Sequence, residues 1–214
     1  MNYMRQLGME GCHSNSNNKI WTFWSNDFEV KVQDNSQQQV TFQVCHKDTN
    51  VMYHLTNVYA KCRTTLRKEL WTELVTISNR LNGPWAVVGD FNVISDSTEK
   101  KGGRPHSAEK SLDFVSCLSD CGIEDAGYVG NIFTWCNNRG DSNTIWKRLD
   151  RLMYNSSRFD QFGKTTVTHL TNACSDHVPV LVQSSVNSNN FVKYFRFLNI
   201  WTEHEDFLNC VRSS

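Results

Sequence analysis

Three short polar clusters along this chain carry the residue types that phosphoester chemistry needs. They are Gly-Asp-Phe-Asn at 89–92, Arg-Leu-Asp at 148–150 and Ser-Asp-His at 175–177. Each borders an apolar run of the kind that forms a buried strand, so each offers a carboxylate where such a strand ends. Any one of them alone is also an ordinary turn, because Gly, Asp, Asn and Ser are turn residues. Together they predict a metal-dependent phosphoester site.

The side chains in these clusters have complementary chemistry. Asp90, Asp150 and Asp176 provide hard oxygen ligands, which Mg²⁺ or Mn²⁺ prefers, so one of these ions is the predicted cofactor. Asn92 can donate to a phosphate oxygen or hold the attacking water. His177 can carry a proton, because the reference pKa of histidine, about 6.5, lies near neutrality. We expect Asp150 to accept a hydrogen bond from the second ring nitrogen of His177 and so to fix its tautomer.

A locally basic loop at 95–106 follows the first cluster and contains Lys100, Lys101 and Arg104. Two interpretations of this loop stay open. It is either a solvated surface loop or a loop that contacts phosphate beside the site.

The composition limits the classes of protein to which the chain can belong. Its 214 residues suffice for one domain with a full core, and 39% of them are hydrophobic, which is typical of a globular protein. Acidic and basic residues balance at 22 each, so net charge does not indicate a nucleic-acid partner. No apolar run could span a bilayer and no secretory signal is recognisable, which predicts an intracellular protein without a membrane partner. The eight cysteines contain no CxxC pair and are predicted to be reduced thiols.

The apolar periodicity predicts a mixture of strands and helices around the clusters. In chain order these are strands at 20–24, 28–32, 40–45 and 51–58, a helix at 65–81, a strand at 85–89, a helix at 107–121, a strand at 145–153, a helix at 156–162 and strands at 167–170 and 180–182. The second helix is expected to place Leu112, Val115 and Leu118 on its buried face.

Polar segments flank this predicted domain, which covers residues 20–184. Residues 1–19 are rich in Asn and Ser and predict a frayed N-terminal segment. Residues 185–214 are predicted to be a linker and the start of a following, aromatic-rich segment.

Five motifs occur in an order that resembles the endonuclease/exonuclease/phosphatase superfamily. They are Asn-Val-Tyr-Ala at 57–60, Gly-Asp-Phe-Asn at 89–92, the segment 130–135 with Phe-Thr-Trp, the segment 145–150 with Arg-Leu-Asp, and Ser-Asp-His-Val-Pro at 175–179. The chain is most similar to the endonuclease domain of plant LINE-type (non-LTR) retrotransposons. The Glu-Lys-Lys-Gly-Gly loop at 99–103 and the tail at 195–201 resemble the same lineage.

The resemblance implies a fold, an activity and partners. The fold would be an α/β four-layer αββα sandwich, with two mainly antiparallel sheets flanked by helices and the site at one end of the sheets. The activity would be Mg²⁺-dependent nicking of DNA to prime reverse transcription. A reverse transcriptase domain would be the partner in the full polyprotein, and action on genomic DNA would require nuclear localisation.

The resemblance also implies catalytic roles for the matching residues. Tyr59 would hydrogen-bond in the site, and Asp90 would orient the attacking water. Asn92 would bind the phosphate or that water. Asp150 would pair with His177, and His177 would contact the scissile phosphate.

Further residues would hold the metal ion and the substrate. Asp176 would help to hold the metal, together with Asp90, and Thr134 would lie along the DNA groove. The remaining predicted substrate contacts are Lys100, Arg104 and Arg148.

One departure from the family pattern bears on activity. The family begins with two strands that carry an Asn and the principal metal-binding Glu, and no segment here matches them. We therefore expect a truncated copy with an exposed sheet edge and weakened metal binding. Two alternatives stay open: a catalytically inactive remnant that at most binds nucleic acid, and a phosphatase acting on a small phosphoester.

Overall fold

The computed structural model describes residues 2–140, 143–171 and 175–186. Its helices are α1 (Asn2–Gln6), α2 (Thr64–Arg80), α3 (Glu109–Cys121) and α4 (Ser156–Gln161), and a 3-10 turn spans Ser97–Glu99. Its strands are β1 (Gly11–Ser14), β2 (Trp21–Trp24), β3 (Phe28–Asn35), β4 (Gln39–His46), β5 (Met52–Tyr59), β6 (Trp85–Asp90), β7 (Lys100–Lys101), β8 (Ile123–Asp125), β9 (Trp135–Cys136), β10 (Trp146–Lys147), β11 (Asp150–Asn155), β12 (Lys164–His169) and β13 (Val180–Ser185). The aromatic-rich segment predicted after the linker lies outside the described residues.

A six-stranded sheet in the order β3-β4-β5-β6-β11-β8 forms the centre of the fold. β5 and β6 are parallel, and the other neighbouring strands of this sheet are antiparallel. The register places Tyr59 opposite Asp90, and Asp90 opposite Asp150. Because β11 runs against β6, its first residue lies beside the last residue of β6. Three polar positions therefore meet at one end of the sheet.

Two helices cover one face of the central sheet. Leu70, Leu74 and Ile77 of α2 and Phe114 of α3 pack with Val87 of β6 in a fully buried cluster. Burying each such side chain contributes roughly 1.5–3 kcal/mol. The helices therefore anchor the strand that delivers Asp90.

A second sheet covers part of the opposite face. β12 pairs with β13, and Val167 of this pair packs on Ala86, Leu152 and Tyr154 of the central sheet. Beside β13 the inner face leaves an open, mainly apolar groove of about 540 Å³, bounded by Tyr53 and other side chains. The predicted class, a layered α/β fold with mainly antiparallel sheets, is confirmed.

The buried face of α3 differs from the prediction. Leu112 and Val115 are 61% and 46% exposed, whereas Phe114 and Cys117 are buried. Phe114 turns inward because its ring packs against the rings of Trp71 and Phe91, at 5.3 and 5.4 Å between centroids. The aromatic contacts determine which stripe of the helix faces the core.

The N-terminal segment is more ordered than the sequence suggested. β1 pairs with β2 as an antiparallel hairpin, with Gly11 opposite Trp24. Asn15 is 2% exposed, and its amide donates to the carbonyls of Ser36 and Gln37. The expectation of a frayed segment is therefore wrong for residues 11–15, because a buried amide ties them to the β3–β4 turn.

The strand predicted at 145–153 is two strands, β10 and β11, separated by Arg148 and Leu149. Arg148 turns inward and donates to Glu99 at 2.9 Å and to Asp125 at 2.7 Å. Arg151 joins the same two carboxylates. The chain breaks its strand here because these buried ion pairs require Arg148 to point inward.

In the described part of the chain, no helix combines the length and apolar character that crossing a membrane requires. The six cysteines in this part are free. Cys117 and Cys121 both lie on the buried side of α3, with 3.9 Å between their sulfur atoms.

Gly89 is expected to be essential for the close approach of β5 and β6. Its φ is 141°, and a Cβ there would lie 2.0 Å from the carbonyl oxygen of Val58. We expect Gly89→Ala to lower the free energy of unfolding by about 2–3 kcal/mol, measured by urea denaturation. Gly83→Ala is the matched control, because Gly83 also has a positive φ of 98° but no atom near its Cβ position. Equal losses in the two variants would contradict a steric role for Gly89.

Candidate active site

Four polar side chains from separate elements meet at one end of the central sheet. Tyr59 ends β5, Asp90 ends β6 and Asp150 begins β11. His177 joins them from the segment before β13, where its backbone forms an isolated bridge with Trp135 of β9. Clusters that lie far apart in the sequence thus become one site.

His177 is fixed between two carboxylates. Its Nδ1 lies 2.8 Å from Oδ2 of Asp150, and its Nε2 lies 3.9 Å from Oδ2 of Asp90. An ionised carboxylate only accepts hydrogen bonds, so Nδ1–H donates to Asp150. This bond and the charges of both carboxylates raise the pKa of His177 above its ordinary 6.5, although burial opposes the shift. Nε2 is therefore favoured as a donor beside Asp90.

Asp90 is buried, and Asn92 holds both of its oxygens. Oδ1 accepts from the backbone N–H of Asn92 at 2.8 Å, and Oδ2 accepts from its Nδ2 at 2.9 Å. Burial and the negative charge of Asp150 raise the pKa of Asp90 to about 6, against the opposing effects of the Asn92 N–H and His177. A carboxylate whose pKa lies near neutrality can accept a proton from water at physiological pH.

The side-chain amide of Asn92 donates its hydrogen bonds to groups within the protein. Besides Asp90, its Nδ2 donates to the carbonyl of Ala60 at 2.8 Å. Its φ is 51°, a left-handed conformation that Asn adopts more readily than most residues. Both amide hydrogens are used, so this geometry favours holding a water through Oδ1 over donating to phosphate.

Thr134 and Trp135 hold the loops around the site. Oγ1 of Thr134 accepts from the backbone N–H groups of Leu149 and Asp150 at 2.9 and 3.0 Å. Thr134 is 0% exposed, so the prediction that it contacts DNA is wrong: its hydroxyl positions Asp150 instead. Trp135 donates from Nε1 to the exposed carboxylate of Asp176 at 3.0 Å, which lowers the pKa of Asp176. Nothing in the Phe-Thr-Trp motif itself predicts this role for Trp135.

The prediction that Arg148 binds substrate is also wrong. Arg148 is 5% exposed, and its guanidinium is paired with Glu99 and Asp125. It also lies 4.6 Å from the ring centroid of Tyr128. A buried and paired cation is not available to a DNA phosphate.

Tyr59, Lys100 and Arg104 are accessible from the site. Tyr59 is 40% exposed, and partial burial raises the pKa of its hydroxyl, which keeps it a neutral donor. Lys100 and Arg104 line a pocket that also touches Asn92. Lys19, which is not among the predicted site residues, places Nζ 5.9 Å from the ring centroid of Tyr59. No pattern around Lys19 signals this placement.

The described residues do not by themselves form a metal site. In residues 2–140, 143–171 and 175–186, no group of three or more His, Cys, Asp or Glu side chains is placed to share an ion. Each candidate carboxylate also has a partner: Asn92 for Asp90, His177 for Asp150 and Trp135 for Asp176. Asp90 and Asp176 therefore fall short of the oxygen ligands that Mg²⁺ or Mn²⁺ needs.

The raised pKa of Asp90 predicts a pH-dependent cost in stability. The folded chain holds this proton up to about pH 6, whereas an ordinary Asp releases it near 3.8. Asp90 therefore lowers the free energy of unfolding progressively as pH rises between these values. The loss reaches about 3 kcal/mol above pH 6. In EDTA, Asp90→Asn should gain stability relative to wild type from about pH 4 to about pH 7, measured by urea unfolding. A pH-independent effect of the amide adds the same amount at every pH, so only the change of the stability difference with pH tests the prediction. A stability difference that stays constant with pH would contradict the raised pKa.

The fold described above occurs in a class of proteins that hydrolyse phosphoesters. A model of the Endonuclease/Exonuclease/phosphatase family matches residues 9–177, and the chain belongs to this family. Membership supports hydrolysis of phosphodiesters or phosphoesters, and enzymes of this family generally use divalent metal ions. No curated protein sequence matches the chain.

Solved structures of related proteins share the fold. The endonuclease domain of TRAS1, a telomere-specific non-LTR retrotransposon, is 13% identical, with a TM-score of 0.65 over 83% of this chain and 81% of that one. The catalytic domain of human Nocturnin is 15% identical, with a TM-score of 0.53 over 87% and 76%. The mannosyl-6-phosphatase Bt3783 of Bacteroides thetaiotaomicron is 18% identical, with a TM-score of 0.54 over 86% and 80%. At these identities the likeness establishes the fold alone.

Proposed function

We propose that this chain is a phosphodiesterase that nicks DNA, of the retrotransposon endonuclease type. The observation that carries the proposal is the pairing of His177 with Asp150, with the free ring nitrogen 3.9 Å from Asp90. This arrangement places a proton donor and a carboxylate base side by side at the end of the sheet. Similarity to the TRAS1 endonuclease domain supports the choice of DNA as substrate.

The site residues divide the chemistry between them. Asp90 accepts a proton from the attacking water, which Asn92 helps to orient. His177 donates from Nε2 to the phosphate or the leaving oxygen, and Asp150 keeps the imidazole in the required tautomer and stabilises its charge. Tyr59 donates a further hydrogen bond from the end of β5. In this proposal the scissile phosphate lies in front of Nε2 of His177 and Oδ2 of Asp90, which are neighbours at the end of the sheet.

The proposal includes a divalent metal ion because enzymes of this family generally use one. Mg²⁺ or Mn²⁺ would neutralise charge on the phosphate oxygens, with Asp90 and Asp176 as the protein carboxylates. Because the described residues lack a full ligand set, we expect weak metal binding and impaired activity. The same proposal implies genomic DNA as substrate, access to the nucleus, and a reverse transcriptase domain as partner.

Nicking of supercoiled plasmid tests the proposed function. The purified chain should convert plasmid to the open-circular form in millimolar Mg²⁺ or Mn²⁺, should stop in EDTA, and should lose activity in His177→Ala. His46→Ala is the matched control, because His46 ends β4 at the end of the sheet away from Tyr59. Phosphate release from small phosphomonoesters without nicking would favour a phosphatase. A folded chain that does neither would support the inactive remnant.

A further inference from the structure

A cationic pocket of about 260 Å³ lies next to the candidate active site. It shares Asn92 and Leu149 with the site region, and five cationic side chains line it. These are Arg67, Lys100, Arg104, Lys110 and Lys147. Its lining within the described chain contains no Asp or Glu. Although the whole chain has no net charge, this pocket concentrates positive charge on one side of the catalytic residues.

Two helix N-termini add to the positive character of the pocket. Thr64, the first residue of α2, and Lys110, in the first turn of α3, both line it. The N-cap residues Arg63 and Ala108 make no side-chain capping hydrogen bond. No side chain caps either helix, so the positive ends of the two helix dipoles favour an anion in the pocket. The backbone N–H of Lys110 is not itself free, because it donates to the carbonyl of Ser107.

Arg67 provides an independent sign that the pocket is built for an anion. It is 5% exposed, yet it forms no ion pair in the described chain. Its guanidinium donates only to the carbonyls of Lys61 and Cys62 and to the hydroxyl of Thr64, and its Nε is buried without a partner. Burying an unpaired cation is costly. An anion in the adjacent pocket would offset that cost.

Lys147 supports the same conclusion. It is half-buried, with Nζ 5.4 Å from the ring centroid of Trp135, and its pKa is lowered by burial and then by the charges of Lys100 and Arg67. Like charges repel one another, and an anion bound among them would offset that repulsion. A phosphate group, with several acceptor oxygens, matches the donors that converge here.

We propose that the cationic pocket is a second phosphate subsite, which holds a backbone phosphate of the DNA strand beside the phosphate that is cleaved. Through Asn92 it adjoins the water-holding end of the site, so an occupied subsite fixes the register of the strand across Asp90 and His177. The identity of the ligand as DNA rests on the proposed function. The shared chemistry, phosphate, could also come from a free phosphate ion.

DNA binding in EDTA tests the subsite without any catalysis. Fluorescence anisotropy with a labelled short duplex gives the affinity at several salt concentrations, and the slope of log K against log salt counts phosphate contacts. Lys110→Gln combined with Lys147→Gln should weaken binding several-fold and lower the magnitude of the slope by about 1. Lys110→Gln alone should give a smaller change in the same direction, and it keeps the test valid if the double variant unfolds.

Lys164→Gln is the matched control, because Lys164 is an exposed lysine on β12 that does not line the pocket. Its slope should equal that of wild type. The proposal is overturned if the pocket variants keep the wild-type slope, or if the wild-type chain binds no DNA. A further result would also overturn it: inorganic phosphate raises the melting temperature of wild type but not of the pocket variants, yet the pocket variants keep the wild-type salt slope for DNA. The pocket would then bind a free phosphate ion and not the DNA backbone. Failure of nicking would contradict the proposed activity and not the phosphate subsite, since this binding measurement involves no turnover.

Discussion

His177→Ala is expected to lower the rate of DNA nicking by about 10²- to 10⁴-fold, the usual contribution of a positioned acid or base. The imidazole is the group whose Nε2 faces the space beside Asp90, and its raised pKa keeps a proton available there near neutral pH. Alanine removes that donor and leaves Asp150 without its partner. Initial rates on supercoiled plasmid in Mg²⁺, at saturating DNA, measure the effect. DNA affinity in EDTA should change little, because the five cations of the neighbouring pocket, and not His177, supply most of the charge that binds the DNA backbone.

Asp150→Asn separates a chemical role for this pair from a structural one. The asparagine keeps the shape and can still accept the Nδ1–H hydrogen bond, but it loses the charge that raises the pKa of His177. Nicking should fall strongly. The double variant Asp150→Asn/His177→Ala should be about as slow as His177→Ala alone, because the effects of substituting residues that act as a unit are not additive. Multiplicative losses would contradict a His–Asp unit, and an equal loss in His46→Ala would indicate a general effect on folding.

The strand ends of this site could be predicted because local patterns encode them. The apolar run before Gly89 made β6 recognisable, and β6 ends at Asp90, at the polar cluster that follows it. Phe91, the apolar residue of the same cluster, is fully buried in the core. The convergence of Asp90 with Asp150 follows from the pairing of β6 with β11, which joins residues about sixty positions apart. The composition of the clusters predicts that they form one site, but the register that brings Asp90 and Asp150 together is a property of the fold.

The wrong assignments share one cause, which is long-range pairing. Arg148 was predicted to contact DNA, together with Lys100 and Arg104. Its partners Glu99 and Asp125 are 49 and 23 residues away, and nothing local predicts that they bury it. Thr134 was misassigned for the same reason, since its hydroxyl meets the backbone of Asp150 only after β9 and β11 have been placed. Conversely, Arg67 lies on the buried side of a helix, where sequence alone suggests no ligand.

Glu99→Gln is expected to lower the free energy of unfolding by about 3–5 kcal/mol, because it leaves two buried guanidinium groups undercompensated. Glu99 accepts from Arg148 at 2.9 Å and from Nη1 of Arg151 at 2.6 Å, and its Oε2 also accepts from the backbone N–H of Ser95. The side chain of Arg151 has no exposed surface. Removing the charge of Glu99 leaves Asp125 as the one carboxylate that pairs with both arginines in the described chain. Urea denaturation at neutral pH measures the loss.

Glu29→Gln gives the matched control, because Glu29 pairs with Lys31 at 2.9 Å on the open surface of β3. Exposed pairs contribute little, so its unfolding midpoint should stay close to wild type. A Glu99→Gln protein as stable as this control would mean that Asp125 alone compensates both arginines. If the predicted loss is found, nicking should fall as well. The backbone N–H of Arg148 donates to the carbonyl of Glu99 at 3.0 Å, so the buried cluster holds the start of β11, and therefore Asp150, in position.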